Sequence, residues 1–200
     1  AETAMTALFQ PVTILGNHEA MLFMIDQVPE NAFRETIGKP LRWAKEQLPA
    51  SRMKWLRELP IVANLDPITL SHGSLFEPLE FHYLHDEDFV RDHFSVQSTT
   101  ISFQGHTHVP VIWEQTEKNI ACYDAAEGLM QLDPVHLHAV NVGSVGQPRD
   151  EDPRACYVLY DVKKRILIHR RVEYDIERAQ ARFKKVGLPA DNASRIALGY

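Results

Sequence analysis

Three short stretches of the chain carry side chains able to bind a metal ion or move a proton. They are Gly16-Asn17-His18-Glu19, Ser71-His72-Gly73-Ser74 and Gly105-His106-Thr107-His108. Each closes an apolar run, at residues 12–15, 68–70 and 100–103. Asparagine offers a hard amide oxygen, and histidine an imidazole that can ligate a metal or carry a proton. Several nitrogen and oxygen ligands arriving at strand ends from distant parts of a chain is how a metal site is assembled on a rigid sheet. Taken singly, each stretch has a plainer reading. Asn17 could simply cap a helix over 18–26, and His72-Gly73 could be an ordinary turn.

The surrounding pattern predicts the elements that must hold these residues. Val12-Thr13-Ile14-Leu15 reads as a buried parallel strand, and Gly16 as the sharp turn after it. Residues 20–25 are apolar on nearly all sides and predict a buried helix. Pro40 is placed to open a helix with Leu41, Ala44 and Leu48 on one face. Ser51 is placed to cap a short helix carrying Leu56, with Trp43 and Trp55 packing these helices onto the body. Residues 61–65 and 68–72 predict a hairpin around Asp66-Pro67. Strands follow at 109–113, 119–122, 130–132 and 138–142, then a hairpin of 157–161 with 165–172. An amphipathic helix over 174–185 turns Ile176, Ala179 and Phe183 inward, and a last short helix spans 193–198. Residues 1–10 have the composition of a helix end stopped by Pro11.

Most other polar residues point to no site. His82, His85, Asp86, Glu87, Asp88, Asp92 and His93 share no helical face or coordination spacing, so residues 76–93 read as a solvated loop and helix. His136 and His138 share one strand face and read as surface or partly buried histidines. Gly143-Ser144-Val145-Gly146 lacks the lysine and spacing of a phosphate loop and reads as a turn. Arg149 and Arg154 either touch an anionic ligand or pair with Asp150 and Asp152.

Composition bounds the remaining choices. Two hundred residues suit a single domain over 1–200, with a helical insertion at about 30–60. A net charge of −6 argues against a general nucleic-acid surface. No run reaches the length of a membrane span and no basic-then-apolar leader is present. Cys122 and Cys156 lack metal spacing, which favours free thiols and a cytoplasmic setting. That setting makes the glycosylation match at Asn192-Ala193-Ser194 empty.

The order Gly-Asn-His-Glu, His-Gly, Gly-His-Thr-His resembles the calcineurin-like metallophosphoesterase superfamily. The later run from Asn141 to Asp150, followed by Asp152-Pro153-Arg154-Ala155, is similar to its small bacterial and archaeal phosphodiesterase branch. The resemblance covers nearly the whole chain. It implies an α/β fold, a four-layer α/β/β/α sandwich of two mixed sheets flanked by helices with the site on one rim. It also implies phosphoester hydrolysis, by a phosphodiesterase or broad phosphatase, through two divalent ions (Mn, Fe, Zn, Co or Ni) that bridge and deprotonate a water. By motif matching, Asn17, His72 and His106 would bind one ion and His108 the other. His18 would sit over the phosphate as the catalytic residue, with Glu19 supporting the loop.

The family pattern begins with an Asp-x-His motif and a Gly-Asp motif, and neither lies upstream of Gly16. At this level the chain reads as N-terminally incomplete, without its first βα unit. It is expected to be a poor hydrolase alone and competent with such a segment added. A small phosphorylated molecule is the expected substrate, with nucleic acid and membrane disfavoured. Apolar helices and Trp43 could line a contact in a homo-oligomer. The competing reading is a scaffold of the same fold with a degenerate metal site, as in the retromer scaffolding subunit, or an inactive fragment.

Overall fold

The computed structural model describes residues 11–125 and 127–200. The helix end expected at 1–10 lies outside them. Helix α1 (Asn17–Met24) leads through a 3₁₀ turn (Glu30–Ala32) to α2 (Glu35–Gln47) and α3 (Ala50–Arg57). Strands β1 (Val62–Asn64) and β2 (Ile68–Ser71) are followed by α4 (Glu87–Val96) and β3 (Ile101–Gln104). Then come β4 (Val111–Gln115), β5 (Ile120–Asp124), β6 (Gly128–Gln131), β7 (Leu137–Asn141), β8 (Ala155–Asp161) and β9 (Ile166–Val172). Helices α5 (Ile176–Lys185) and α6 (Ala190–Leu198) close the chain. Among the described residues, no helix is long and apolar enough to cross a membrane.

The strands form a mixed six-stranded sheet, order β1-β2-β3-β7-β4-β5, and a three-stranded sheet, order β6-β9-β8. Helices flank both, as the resemblance implied, although the smaller sheet is wholly antiparallel. The two sheets share a core in which Ile101, Ile112 and Val140 of the larger sheet meet Leu132 and Leu167. These branched side chains fit a pleated surface buried on the inner side. Val90 and Phe94, on one stripe of α4, bury the other side of the larger sheet against Ala139. Asp86 starts α4 by accepting the Phe89 N–H at 3.2 Å, which satisfies one of the helix's orphan donors.

Several expectations are corrected. Residues 12–15 form no ladder, and Val12 is half exposed. Their fixed point is the Leu15 N–H, which donates to the Pro60 carbonyl at 2.8 Å. The apolar run alone could not distinguish a strand from an extended segment. Helix α1 begins at Asn17, with Gly16 rather than Asn17 at its cap. Met24 of α1 is half exposed, so only Leu22, and Ile25 just past the helix end, are fully buried. Pro40 lies inside α2 instead of opening it. A proline cannot donate to the carbonyl four residues back. That carbonyl, of Thr36, accepts Asn192 Nδ2 from α6 at 3.0 Å, so a tertiary bond replaces the helical one. Helix α3 starts before Ser51, with Pro49 at its cap, and Trp55 is 46 % exposed rather than packed.

The Asp66-Pro67 hairpin, with a cis peptide bond, forms as expected. The β4–β5 and β8–β9 hairpins and the inward set of α5 do too. Asp175 caps α5 by accepting the Arg178 N–H at 2.9 Å. Cys122 is exposed, Cys156 is buried and both are free thiols.

Candidate functional site

The site is built on the parallel centre of the larger sheet. Strands β2, β3 and β7 run side by side, with Leu70 opposite Phe103 and Phe103 opposite Val140. Their carboxyl ends therefore stop at one level, where open α/β sheets place ligands. His72 follows β2 directly and Gly105-His106-Thr107-His108 follows β3. The Gly105 N–H donates to the His72 carbonyl at 3.1 Å, which locks the two turns together. The Leu15–Pro60 bond holds the start of α1 beside them.

Asn17 and His72, 55 residues apart in sequence, meet directly. His72 Nε2 lies 2.9 Å from Asn17 Oδ1, and with an acceptor oxygen facing it this nitrogen carries the proton. The His72 and His106 rings are 4.8 Å apart, centroid to centroid. A side chain at Gly16 would lie 2.8 Å from Glu19 Oε2 and 3.2 Å from His72 Nδ1. Glycine leaves room there for the Glu19 carboxylate and the His72 ring and is not required for a left-handed turn, since its φ is −100°.

His106 and His108 both adopt the left-handed region, with φ of 61° and 62°. Such a backbone is uncommon outside glycine and persists where its surroundings over-determine it. Here the support comes from Asn141 at the end of β7. Its Nδ2 donates to the Gly105 carbonyl and, at 2.9 Å, to Thr107 Oγ1, while its Oδ1 accepts the Gly143 N–H at 2.9 Å. His108 Nδ1 donates to the Gln147 carbonyl at 2.6 Å, which leaves Nε2 as its lone-pair nitrogen.

Burial sets the charge of these rings. It depresses His106 to about 4, with His72 and His108 adding and the Phe81 backbone opposing. Burial, then Arg149, depresses His108 to about 4. His72 is lowered by burial, against Glu19. His18 stands exposed on the rim, yet the protein around it lowers its pKa; Glu19 raises it and Arg149 lowers it. Neutral imidazoles with free lone pairs are what metal ligation requires.

The donors present fit an ion in part. Asn17, His72 and His106 supply three neutral donors close together. Among the described residues, no three His, Cys, Asp or Glu side chains converge on one point. The carboxylate that usually completes a site for a hard cation is therefore not found among them.

Two contributors escaped the sequence reading. Tyr83 stacks on His106 at 4.0 Å between centroids and 6° between planes, and Phe81 packs edge-on against His72. Both lie in the loop before α4, where no periodicity marks them. His93, read as solvated, is fully buried. His136 and His138 are not at the rim. They converge on Glu114 of β4 at 2.9 and 3.3 Å, with His138 fully buried. The cavity touching the rim, about 300 Å³, is lined by His72, Gly105 and apolar residues such as Ile14 and Phe103. Larger ones, such as that beside Phe33 and Arg42, lie along the helices away from this chemistry.

No known family model matches the chain. An uncharacterized protein of Methanocaldococcus jannaschii is 29 % identical over 192 residues, covering 94 % of this chain and 75 % of that one. The crystal structure of a metallophosphoesterase from Sphaerobacter thermophilus superposes with a TM-score of 0.85 and 28 % identity, over 99 % of this chain and 80 % of that one. This likeness shows the metallophosphoesterase fold and supports the resemblance to the calcineurin-like superfamily. A hypothetical protein of Pyrococcus horikoshii shares this metallophosphoesterase fold, with a TM-score of 0.71 at 19 % identity over 94 % of this chain and 72 % of that one. The cluster of Asn17, His72, His106 and His108 thus stands at the strand-end rim of a metallophosphoesterase fold.

Proposed function

We propose that this protein hydrolyses the phosphoester of a small molecule, as a phosphodiesterase or broad phosphatase, using divalent metal ions. Asn17, His72 and His106 would hold one ion. His108, through Nε2, would serve a second, whose remaining ligands lie outside the described cluster. The observation that carries this reading is the 2.9 Å approach of Asn17 Oδ1 and His72 Nε2 beside His106. Divalent ions, when bound, neutralise charge on the phosphoryl group and lower the pKa of a water. To ligate through Nε2, His72 would carry its one N–H on Nδ1 instead, with no net proton released; binding would weaken only at a pH low enough to turn the rings into imidazolium.

His18 would act on the substrate itself. As a neutral ring it can donate an N–H to a phosphoryl or leaving oxygen. A bound phosphoryl anion adds to Glu19 in favouring the imidazolium, the form able to protonate the leaving oxygen. Glu19 orients this corner through its position beside Gly16 and His72.

A second reading, a scaffold with a degenerate metal site, is favoured by the lack of three converging His, Cys, Asp or Glu side chains among the described residues. One experiment separates the two. Turnover of aryl phosphate mono- and diesters, with bound metal measured by mass spectrometry, is compared for wild type, His18→Ala and His72→Ala. A hydrolase loses about 10²–10⁴-fold in kcat with His18→Ala while keeping its metal, and loses metal with His72→Ala. No turnover in wild type under manganese, iron, zinc, cobalt or nickel supports the scaffold.

A further inference from the structure

We infer that Arg149 is the residue that grips the ligand's phosphoryl oxygens at this rim. The inference rests on the phosphoesterase reading of the site and adds the group that recognises the anion.

The loop after β7 carries three acidic residues between Arg149 and Arg154, and the structure resolves how they pair. Arg171 takes Asp150 through both Nη atoms and approaches Asp152 at 3.8 Å. Arg154 takes Asp152 in a bidentate fork, with Nε at 3.0 Å from Oδ1 and Nη2 at 2.6 Å from Oδ2. Its Nη1 reaches Glu127 at 3.1 Å. Asp150 and Asp152, the carboxylates Arg149 might have used, are thus taken by Arg171 and Arg154.

Arg149 makes no ion pair among the described residues. Its guanidinium has one long hydrogen bond, Nη2 to Gln147 Oε1 at 3.4 Å. Its Nε is buried without a partner. A buried cationic donor left unpaired is costly, and proteins retain one where a ligand completes it.

The position of Arg149 says which ligand. Its N–H donates to the His108 carbonyl at 3.2 Å, so its backbone is tied to the rim loop. The rim loop thus carries beside it a guanidinium with no ion pair among the described residues, which suits an anionic ligand. Its planar fork matches two oxygens of a phosphate, and such charge-assisted bonds are among the strongest available.

The test titrates inorganic phosphate into the protein as purified, by calorimetry, and measures KM for p-nitrophenyl phosphate in parallel. Arg149→Ala is expected to weaken phosphate binding about 10- to 100-fold and to raise KM by a similar factor, with metal content unchanged. Arg149→Lys, which keeps the charge and the stem, recovers part of the affinity. Should Arg149→Ala fail to fold, a several-fold loss in Arg149→Lys carries the test. Arg154→Ala, whose fork is already filled, leaves phosphate affinity within about twofold. Unchanged affinity in both Arg149 variants overturns the assignment. So does an equal loss in Arg154→Ala, or no phosphate binding by wild type. Phosphate binding that depends on Arg149, without turnover, leaves the anion grip standing and removes the hydrolase reading. Turnover that is indifferent to Arg149 does the reverse.

Discussion

The chain has ten histidines, and the rim and the interior use them in opposite ways. At the rim, His108 has one ring nitrogen engaged by the backbone and the other free, and the His72 nitrogen meets only a fellow donor-set member, Asn17. In the interior the protein itself occupies the ring. His93 Nδ1 accepts the Leu75 N–H at 2.9 Å, while Nε2–H donates towards Gln97 Oε1 at 3.0 Å, with Ser102 Oγ at 2.9 Å. His169 Nε2 donates to the Asn141 carbonyl at 3.0 Å. Both regions keep their rings neutral by burial. His93 spends its lone pair on the fold, whereas His108 keeps its Nε2 lone pair for a ligand. Asn141 joins the two regions: its carbonyl is held by His169 and its side chain holds the Gly105-His106-Thr107-His108 loop.

The joint is where a substitution should act most strongly. Asn141→Ala removes two donated bonds and one accepted bond at a buried position. Expected are a loss of about 4 kcal/mol in denaturant stability and a fall of roughly 100-fold in turnover as the rim histidines lose alignment. Wild-type turnover in this variant would show that the rim does not depend on the strand end.

The interior alone gives the next effect. Burial holds His93 at about 4, with Gln97 opposing, and its Nδ1 has no room for a proton while it accepts an N–H. The unfolded chain takes up that proton below about 6.5, so the unfolded state binds more protons than the folded one between pH 6.5 and 4. The contribution of His93 is therefore complete above pH 6.5 and is lost as pH falls to 4, by up to about 3 kcal/mol. Urea midpoints across this window, compared with those of His93→Gln, isolate it from the rim rings. Equal slopes would show that His93 carries none of the pH dependence.

The smallest effect is expected outside both regions. His85, 58 % exposed in its side chain, pairs with Asp86 at 3.3 Å in solvent. His85→Ala should change stability by less than about 0.5 kcal/mol and leave turnover unaltered. A large loss of turnover would show that His85 acts on the rim through its neighbour Tyr83.

Where local chemistry governs, the sequence was legible. The two strand-end stretches after β2 and β3, the Asp66-Pro67 hairpin and the inward face of α5 follow from residue type and period alone. Errors fell where a distant partner decides. Pro40 is tolerated inside α2 because Asn192 serves the Thr36 carbonyl 156 residues away. Residues 12–15 had the composition of a strand, yet a ladder also requires a neighbour in register. The depth of His93 and His138, and the stacking of Tyr83 on His106, leave no mark on spacing because loops carry no period.

By itself, the sequence determined the donor types, the turns that expose them and the family they resemble, since each depends on a few adjacent residues. Only the tertiary structure decided that Asn17 meets His72, that Asn141 holds the His106–His108 backbone and that Arg149 is left without a carboxylate among the described residues. Pairing among Asp150, Asp152, Arg149, Arg154 and Arg171 is a competition in space. Distance and burial settle it, and a linear order of charges contains neither.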